Sequence, residues 1–346
     1  MRLLITINCQ ILNIKMKTAF SIFCLFLALM YSGCQARASE MKILDQESIQ
    51  DQGGRTIQVH EPFKRIISLY GAHTENLFSL GLDQEVIGVG MNECYPPQAL
   101  ERPAFSYQEG PEKILAHRPD LVLVRPMIDW AYPRLMDTLE RSGITVVSLQ
   151  PGSKEEMFKY WKILGILTGK EEQALQIQEN FTAGLEYARD LTSNVQDKKG
   201  VFFESMHEQL KTFSQDSMPM LVLEAAGGKN MAADARQVRG TNIADFGQEK
   251  LLSRADKVHV YLSQDGPMNQ ADPQSIKNRP GLHLLQAVQQ NRVYVIDEVL
   301  VSRPTMRLLQ GIYAVGGHLY PDIFDEETRE KLDNYRNMQG SKTGDS

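Results

Sequence analysis

Short β-type apolar runs that alternate with helical segments constrain the fold of this chain more than any other feature. Between residues 61 and 151 the runs RIISLY, VIGV, LVLV and ITVVSL alternate with HTENLFSLGL, PEKILAHRPD and YPRLMDTLERSG. Strands that alternate with helices are typical of a parallel sheet covered by helices on both faces. A second series of this kind, with VFFES, KVHVYL and RVYVID as strands, occupies residues 198–324. The sequence therefore predicts two α/β lobes.

The segment between the lobes, residues 152–197, has a helical pattern. Two pairs have the spacing of a capping box, which marks the start of a helix: Ser153 with Glu156, and Thr168 with Glu171. Apolar residues then recur at steps of three or four, which predicts one amphipathic helix from Lys170 to Val195. Such a helix would be about 39 Å long. The segment is therefore expected to bridge the lobes.

The front of the chain has the features of an export signal. Lys17 precedes the apolar stretch 19–30, and small residues follow that stretch. The stretch is shorter than the roughly 20 residues that span a bilayer, so a removed signal peptide over residues 1–33 is favoured over a transmembrane helix. We expect translation to start at Met16.

The leader ends on YSGC, which resembles the lipobox of bacterial lipoproteins. In such a box the cysteine, here Cys34, is acylated at sulfur and becomes the mature N-terminus. Tyr31 stands where leucine is usual, and an ordinary signal peptidase site with an incidental Cys34 is the alternative. After the leader only Cys34 and Cys94 remain; they could form a disulfide, but acylation gives Cys34 another fate. Residues 34–60 are then interpreted as a lipidated tether and a hairpin.

Several classes of function are disfavoured by composition and missing motifs. The net charge is −6 with dispersed lysines and arginines, which is not the electrostatic footprint of a nucleic-acid-binding protein. The sequence contains no Walker A loop, G-x-S-x-G elbow, H-E-x-x-H or C-x-x-C motif. We therefore expect no enzyme, no catalytic residue and no resident cofactor, with an exported hydrolase as the remote alternative. Residues 325–346 are interpreted as a charged tail.

A set of segments resembles, in order, the ABC-importer substrate-binding proteins for cobalamin and ferric siderophores. RIISLYGAHTENLFSLGLDQEVIGVG, CYPP, GPEKILAHRPDLVLV and LERSGITVVSL are similar to the N-lobe of that family. EAAGGKNMA, RVYVID and SRPTMRLLQGI are similar to its C-lobe, so the resemblance covers about residues 44–321. It implies two Rossmann-like α/β lobes joined by a single long helix, which is the class III periplasmic-binding-protein fold.

The resemblance also implies a function for the chain. It would be a membrane-anchored monomer that captures an iron chelate, such as a ferric siderophore, between its lobes. It would deliver this chelate to an ABC permease and its ATPase. A corrinoid, haem or a metal ion complex are the alternative ligands.

The loops after the strands contain the residues expected to contact a ligand, because ligands of open α/β sheets collect beyond the carboxyl ends of the strands. In the N-lobe these are Tyr70, His73, Tyr95, Arg125 and Trp130, and in the C-lobe His207, Lys211, Arg236, Arg239 and Arg303. Guanidinium groups and aromatic faces suit anionic chelates, haem propionates and corrinoid amides. Tyrosine and histidine can also enter the coordination sphere of a metal. A surface position or a structural role is the alternative for each residue.

Acidic residues are expected where the permease docks. In the cobalamin-binding member of the family a glutamate at the start of a C-lobe helix docks onto permease arginines, and Glu249 stands at the corresponding place. The matching N-lobe glutamate is not found in DWAYPRLMD, where Asp129 or Asp137 are the possible substitutes.

Overall fold

The computed structural model describes residues 39–206, 209–238, 240–267 and 269–337. From Glu40 onward the chain forms one unit of contacts. The expected leader, the lipidation residue Cys34 and the two site residues His207 and Arg239 lie outside the described residues. None of the helices within those ranges combines the length and apolar composition that crossing a membrane would require.

A small antiparallel sheet precedes the first lobe. Its strands are β1 (Lys42–Ile43), β2 (Ser48–Gln50) and β3 (Thr56–Gln58), paired in that order. Ile49 and Ile57 are cross-strand partners and are both buried, so one face of this sheet packs into the core. Strands β2 and β3 form an antiparallel hairpin within residues 34–60.

The first lobe is built on a five-stranded parallel sheet in the spatial order β6-β5-β4-β7-β8. The strands are β4 (Ile66–Ser68), β5 (Val86–Gly90), β6 (Ala104–Phe105), β7 (Leu121–Val124) and β8 (Thr145–Ser148). Helices α1 (Gly71–Ser79), α2 (Glu112–Ala116), α3 (Pro126–Ala131) and α4 (Pro133–Arg141) alternate with them. Every residue of β4 and of β7 is buried. Continuous apolar runs such as LVLV suit strands that are covered on both faces.

Two helices, α5 (Lys154–Thr168) and α6 (Glu171–Leu191), connect the lobes and pack against each other. The cap predicted at Ser153 is confirmed, because its hydroxyl accepts the backbone N–H of Glu156 at 3.2 Å. The cap predicted at Thr168 is wrong. Its hydroxyl donates to the carbonyl of Leu164 at 2.7 Å within α5, and Gly169 ends that helix in the left-handed region, φ 65°.

The second bridging helix is shorter than its apolar pattern predicted. It begins at Glu171 and ends at Leu191, where Val195 was expected as the last residue. The hydroxyl of Ser193 donates to the carbonyl of Asp190 at 2.8 Å. Serine and threonine side chains compete in this way with helical hydrogen bonds and favour helix ends.

The second lobe contains a four-stranded parallel sheet in the order β11-β9-β14-β15, and an antiparallel sheet in the order β10-β13-β12. The strands are β9 (Gly200–Glu204), β10 (Thr212–Phe213), β11 (Lys229–Asn230), β12 (Arg236–Gln237), β13 (Ile243–Asp245), β14 (Val260–Asp265) and β15 (Val293–Asp297). The helices are α7 (Met218–Ala225), α8 (Gln248–Leu252), α9 (Pro273–Lys277), α10 (Gln286–Gln289), α11 (Glu298–Val301), α12 (Leu308–Leu319) and α13 (Glu326–Asn337). The last of these lies in the charged tail. The two parallel sheets confirm the predicted α/β fold class.

Candidate functional site

The first turns of α1 carry four consecutive buried polar residues, His73 to Asn76, each no more than 2% exposed. This helix follows β4 and lies between the first sheet, α5 and the segment 302–307 of the second lobe. Buried polar groups need partners, and here the partners come from both lobes. The sequence analysis did not predict that residues 73–76 contact both lobes. The available signal was a run of polar residues shortly after a buried strand.

His73 is fully buried and both of its ring nitrogens are engaged. Nδ1 lies 2.7 Å from the hydroxyl of Tyr160, and Nε2 lies 3.1 Å from the carbonyl of Val124. Burial, assisted by the nearby Arg125 guanidinium, lowers the pKa of His73 to about 4, although the bond to Val124 acts in the opposite direction. A neutral imidazole with both nitrogens occupied has no atom for a ligand. This placement does not agree with the expected ligand contact, because α5 covers the ring.

Asn76 ties the two lobes together through hydrogen bonds. Its Nδ2 donates to the carbonyl of Pro304 at 3.0 Å, and its Oδ1 accepts the indole N–H of Trp161 at 3.0 Å. Trp161 is 1% exposed, so its N–H depends on this single amide. The bonds join helix α1, helix α5 and the segment before α12.

Beside Asn76 lies a cluster of four charges, Glu75 and Glu93 from the first lobe with Arg303 and Arg307 from the second. Nη1 of Arg303 is 2.9 Å from Oε1 of Glu75 and 3.8 Å from Oε1 of Glu93. Nη1 of Arg307 is 3.4 Å from the same Glu75 oxygen. Burial raises the pKa of Glu75, while Arg307 and Arg303 act in the opposite direction. Of these four residues, only Arg303 was predicted from the sequence as a site residue.

Two aromatic rings lie under guanidinium groups at the same edge of the first lobe. Arg125 lies 4.7 Å above the ring of Tyr70, and Arg307 lies 4.6 Å above the ring of Tyr95. Burial raises the pKa of Tyr70, and the Arg125 and Arg303 charges oppose this shift. These are cation–π contacts, which hold the aromatic side chains in place. The structure therefore brings Tyr70, Tyr95, Arg125 and Arg303 to the same edge.

The rim of this edge presents exposed apolar side chains. Trp130 is 48% exposed and Met127 53% exposed, and both belong to α3, which follows the carboxyl end of β7. Met91, directly after β5, is 61% exposed. Large apolar side chains at strand ends can cover an apolar ligand surface.

The other basic residues expected in the second lobe are less closely associated with this cluster. Lys211 forms an ion pair with Asp245 at 3.6 Å, and Arg236 is exposed on β12 opposite the same aspartate. Strands β14 and β15 each end on an acidic residue, Asp265 and Asp297, and these two are cross-strand neighbours. Burial raises the pKa of Glu298 at the start of α11, and the charge of Arg303 opposes this shift without reversing it. This edge of the second lobe is therefore mixed in charge.

A direct metal site has no support among the described residues. Over those ranges, no three His, Cys, Asp or Glu side chains are grouped so that they could hold a metal ion.

The acidic residues considered for docking differ in their availability. Glu249 lies exposed in the first turn of α8. Asp129 is 7% exposed, and both its oxygens accept from Arg55 at 2.7 Å, so it is not available to a partner. Asp137 is exposed and pairs with Arg141 at 3.0 Å. Glu112, which was not considered from the sequence, is exposed at the start of α2 as Glu249 is at the start of α8.

Two parallel-sheet lobes that meet at the carboxyl ends of their strands define a two-lobed ligand-binding protein. The family model described as periplasmic binding protein matches residues 66–300. The chain belongs to the periplasmic binding protein family.

Known proteins agree with this assignment. The chain is 26% identical over 316 residues to the "uncharacterized ABC transporter substrate-binding lipoprotein YvrC" of Bacillus subtilis (strain 168), covering 87% of this chain and 96% of that protein. It is 27% identical over 259 residues to a vitamin B12-binding protein of Vibrio campbellii, covering 74% and 90%. A solved structure of a possible iron-binding (periplasmic solute-binding) protein from Staphylococcus epidermidis superposes with a TM-score of 0.66 at 24% identity, covering 75% of this chain and all of that one. At that identity, the likeness shows the fold.

Proposed function

We propose that this chain is a lipid-anchored substrate-binding protein of an ABC importer that captures a metal chelate of low net charge. A corrinoid of the cobalamin type is the first candidate ligand. The naming of the Bacillus relative as an ABC transporter lipoprotein and of the Vibrio relative as a vitamin B12-binding protein supports this proposal. The observation that carries the ligand class is the pairing of Arg303 and Arg307 with Glu75 at the cleft.

Two of the three arginines at this edge, Arg303 and Arg307, are already paired with an acid of the protein, whereas Arg125 lies over the ring of Tyr70. Arg303 and Arg307 are 13% and 14% exposed and share the buried carboxylate of Glu75. An anionic ligand would have to compete with a carboxylate that is already desolvated beside these guanidinium groups. A triply negative catecholate chelate is therefore disfavoured, and an uncharged chelate is favoured.

Haem is also disfavoured by this arrangement. Its propionates require free cationic groups, and its iron requires an axial ligand such as histidine or tyrosine. Of these, His73 is buried with both nitrogens engaged, which leaves the tyrosines Tyr70 and Tyr95 at this edge. A ferric hydroxamate, which is uncharged, stays the second candidate because it satisfies the same charge argument.

The exposed rim of Trp130, Met127 and Met91 suits the apolar periphery of a large chelate. Aromatic and thioether side chains adapt to irregular apolar surfaces and bury a large area on contact. Such a rim adds affinity without adding charge.

Docking onto the permease is assigned to Glu249 in the second lobe and Glu112 in the first. Both are exposed at the start of a short helix that follows a strand of its lobe. The choice of Glu112 replaces Asp129, which is buried against Arg55.

Membrane attachment is assigned to Cys34, and an alanine there should release the mature protein from membranes in cell fractionation.

Calorimetric titration of the purified mature chain tests the ligand class. The probes are cyanocobalamin, a ferric trishydroxamate, a ferric triscatecholate and haemin, each followed also by tryptophan fluorescence. We expect micromolar or tighter binding of at least one uncharged chelate, and quenching that is lost in Trp130→Phe but kept in Trp161→Phe. Binding of the triscatecholate or haemin alone, or of none of the four, would contradict the proposal.

A further inference from the structure

The two carboxylates of the cleft cluster have an unusual environment. Glu75 is 2% exposed, and the side chain of Glu93 is 3% exposed. In each, Oε1 faces Arg303, while Oε2 is buried without a hydrogen-bond partner. A buried carboxylate oxygen without a donor lowers the stability of the fold. The burial of Glu75 and Glu93 therefore needs an explanation other than hydrogen bonding.

The position of the arginines shows what the carboxylates neutralise. Arg303 lies against Gly71 at the start of α1, where an added Cβ would come within 2.3 Å of its Nη1. Its Nη1 is also 3.5 Å from the thiol of Cys94, which is exposed in the loop after β5. The guanidinium group is therefore next to the strand ends where the ligand is proposed to bind.

We propose that Glu75 and Glu93 determine the charge selectivity of the cleft, acting as counter-ions that keep Arg303 and Arg307 from binding anionic chelates. This inference rests on the proposed function and assigns to two residues a role other than ligand contact. A charge placed within a few ångströms of an arginine in a poorly solvated site changes its attraction for an anion strongly. Removal of either negative charge should therefore increase the affinity for anionic chelates.

A merely structural ion network is the alternative, because the same contacts join the two lobes. The two roles differ in what they predict. A structural role predicts that removing a carboxylate lowers stability and weakens all chelates alike. The counter-ion role predicts a changed ratio between anionic and uncharged chelates.

The test compares Glu75→Gln and Glu93→Gln with the wild type. Glutamine keeps the shape of the side chain and removes only the charge. The charge-matched control is Glu186→Gln, since Glu186 is exposed on α6. For each variant, calorimetry measures the affinities for cyanocobalamin, a ferric trishydroxamate and a ferric triscatecholate.

We expect the affinity for the triscatecholate, relative to an uncharged chelate, to rise at least tenfold in both glutamine variants and less than twofold in the control. Adding Arg303→Met to Glu75→Gln should remove the gain, and raised salt should reduce it. An unchanged ratio in both variants would overturn the inference, and so would an equal rise in the control. If Glu75→Gln does not fold, Glu93→Gln decides the question.

The outcomes also separate this inference from the proposed function. A wild type that binds no uncharged chelate refutes the proposed ligand, yet a new affinity for the triscatecholate in the variants would still support the counter-ions. A wild type that binds uncharged chelates, with variants of unchanged selectivity, supports the ligand and refutes the counter-ions.

Discussion

Acidification should weaken the folded state through His73, the buried histidine at the start of α1. Burial lowers the pKa of this side chain from 6.5 to about 4. Between these values the unfolded chain binds one proton more than the folded chain. The free energy of unfolding therefore rises with pH over this window and falls as the pH drops from 6.5 towards 4.

The magnitude follows from the size of the shift. A difference of about 2.5 pKa units, at about 1.36 kcal/mol per unit, corresponds to about 3 kcal/mol over the whole window. The steepest slope expected from His73 is about 1.4 kcal/mol per pH unit. Above about pH 7.5 this residue contributes almost no pH dependence, because the histidine is then neutral in both states.

Urea unfolding at intervals between pH 7.5 and 4.5 measures the effect in the wild type and in His73→Asn. His318 must be considered too, because burial also lowers its pKa and it acts in the same direction. The difference between wild type and variant isolates His73, and His283→Asn, at an exposed position, is the control. An equal pH slope in wild type and His73→Asn would refute the reasoning, because the ring would then be free to titrate as an exposed or ligand-facing histidine does.

Three further substitutions test contacts around the site. Asn76→Ala leaves the indole N–H of Trp161 and the carbonyl of Pro304 without partners and should lower the free energy of unfolding by about 2–4 kcal/mol in urea titrations. Trp130→Ala should weaken binding of an uncharged chelate about tenfold in calorimetry with unchanged stability, because its side chain is 48% exposed; a loss of less than twofold would argue against an apolar rim. Arg55→Met removes the ion-pair partner of the buried carboxylates of Asp129 and Asp51 and should cost about 3 kcal/mol of stability, part of which Arg55→Met/Asp129→Leu should restore; equal stability of the two variants would contradict the pairing with Asp129.

Local patterns were sufficient to predict the strands and helices that form the two lobes. The run LVLV became the fully buried strand β7, because a continuous apolar run of that length fits a strand covered on both faces. Ser153 caps α5 because the capping bond joins residues three apart in the chain. The prediction failed at Thr168, where the hydroxyl bonds within α5 in place of capping the next helix.

The candidate site was predictable only in outline. Tyr70, Arg125 and Arg303 meet because strand ends gather ligand-binding residues, which is a property of the topology. The burial of His73 depends on Tyr160, which is 87 residues away in the chain. Asp129 was one of two possible docking residues, but Arg55 covers it from the hairpin of β2 and β3.

The sequence by itself determined the alternation of strands and helices, the two-lobed class and the family, since each depends on periodicity or on the order of short segments. The tertiary structure alone decided the charge of the cleft. Arg303 is a cation when read from the sequence, and Glu75, 228 residues away, neutralises it at 2.9 Å. The strength of an ionic contact depends on distance and on access of water, and neither is set until the lobes have packed.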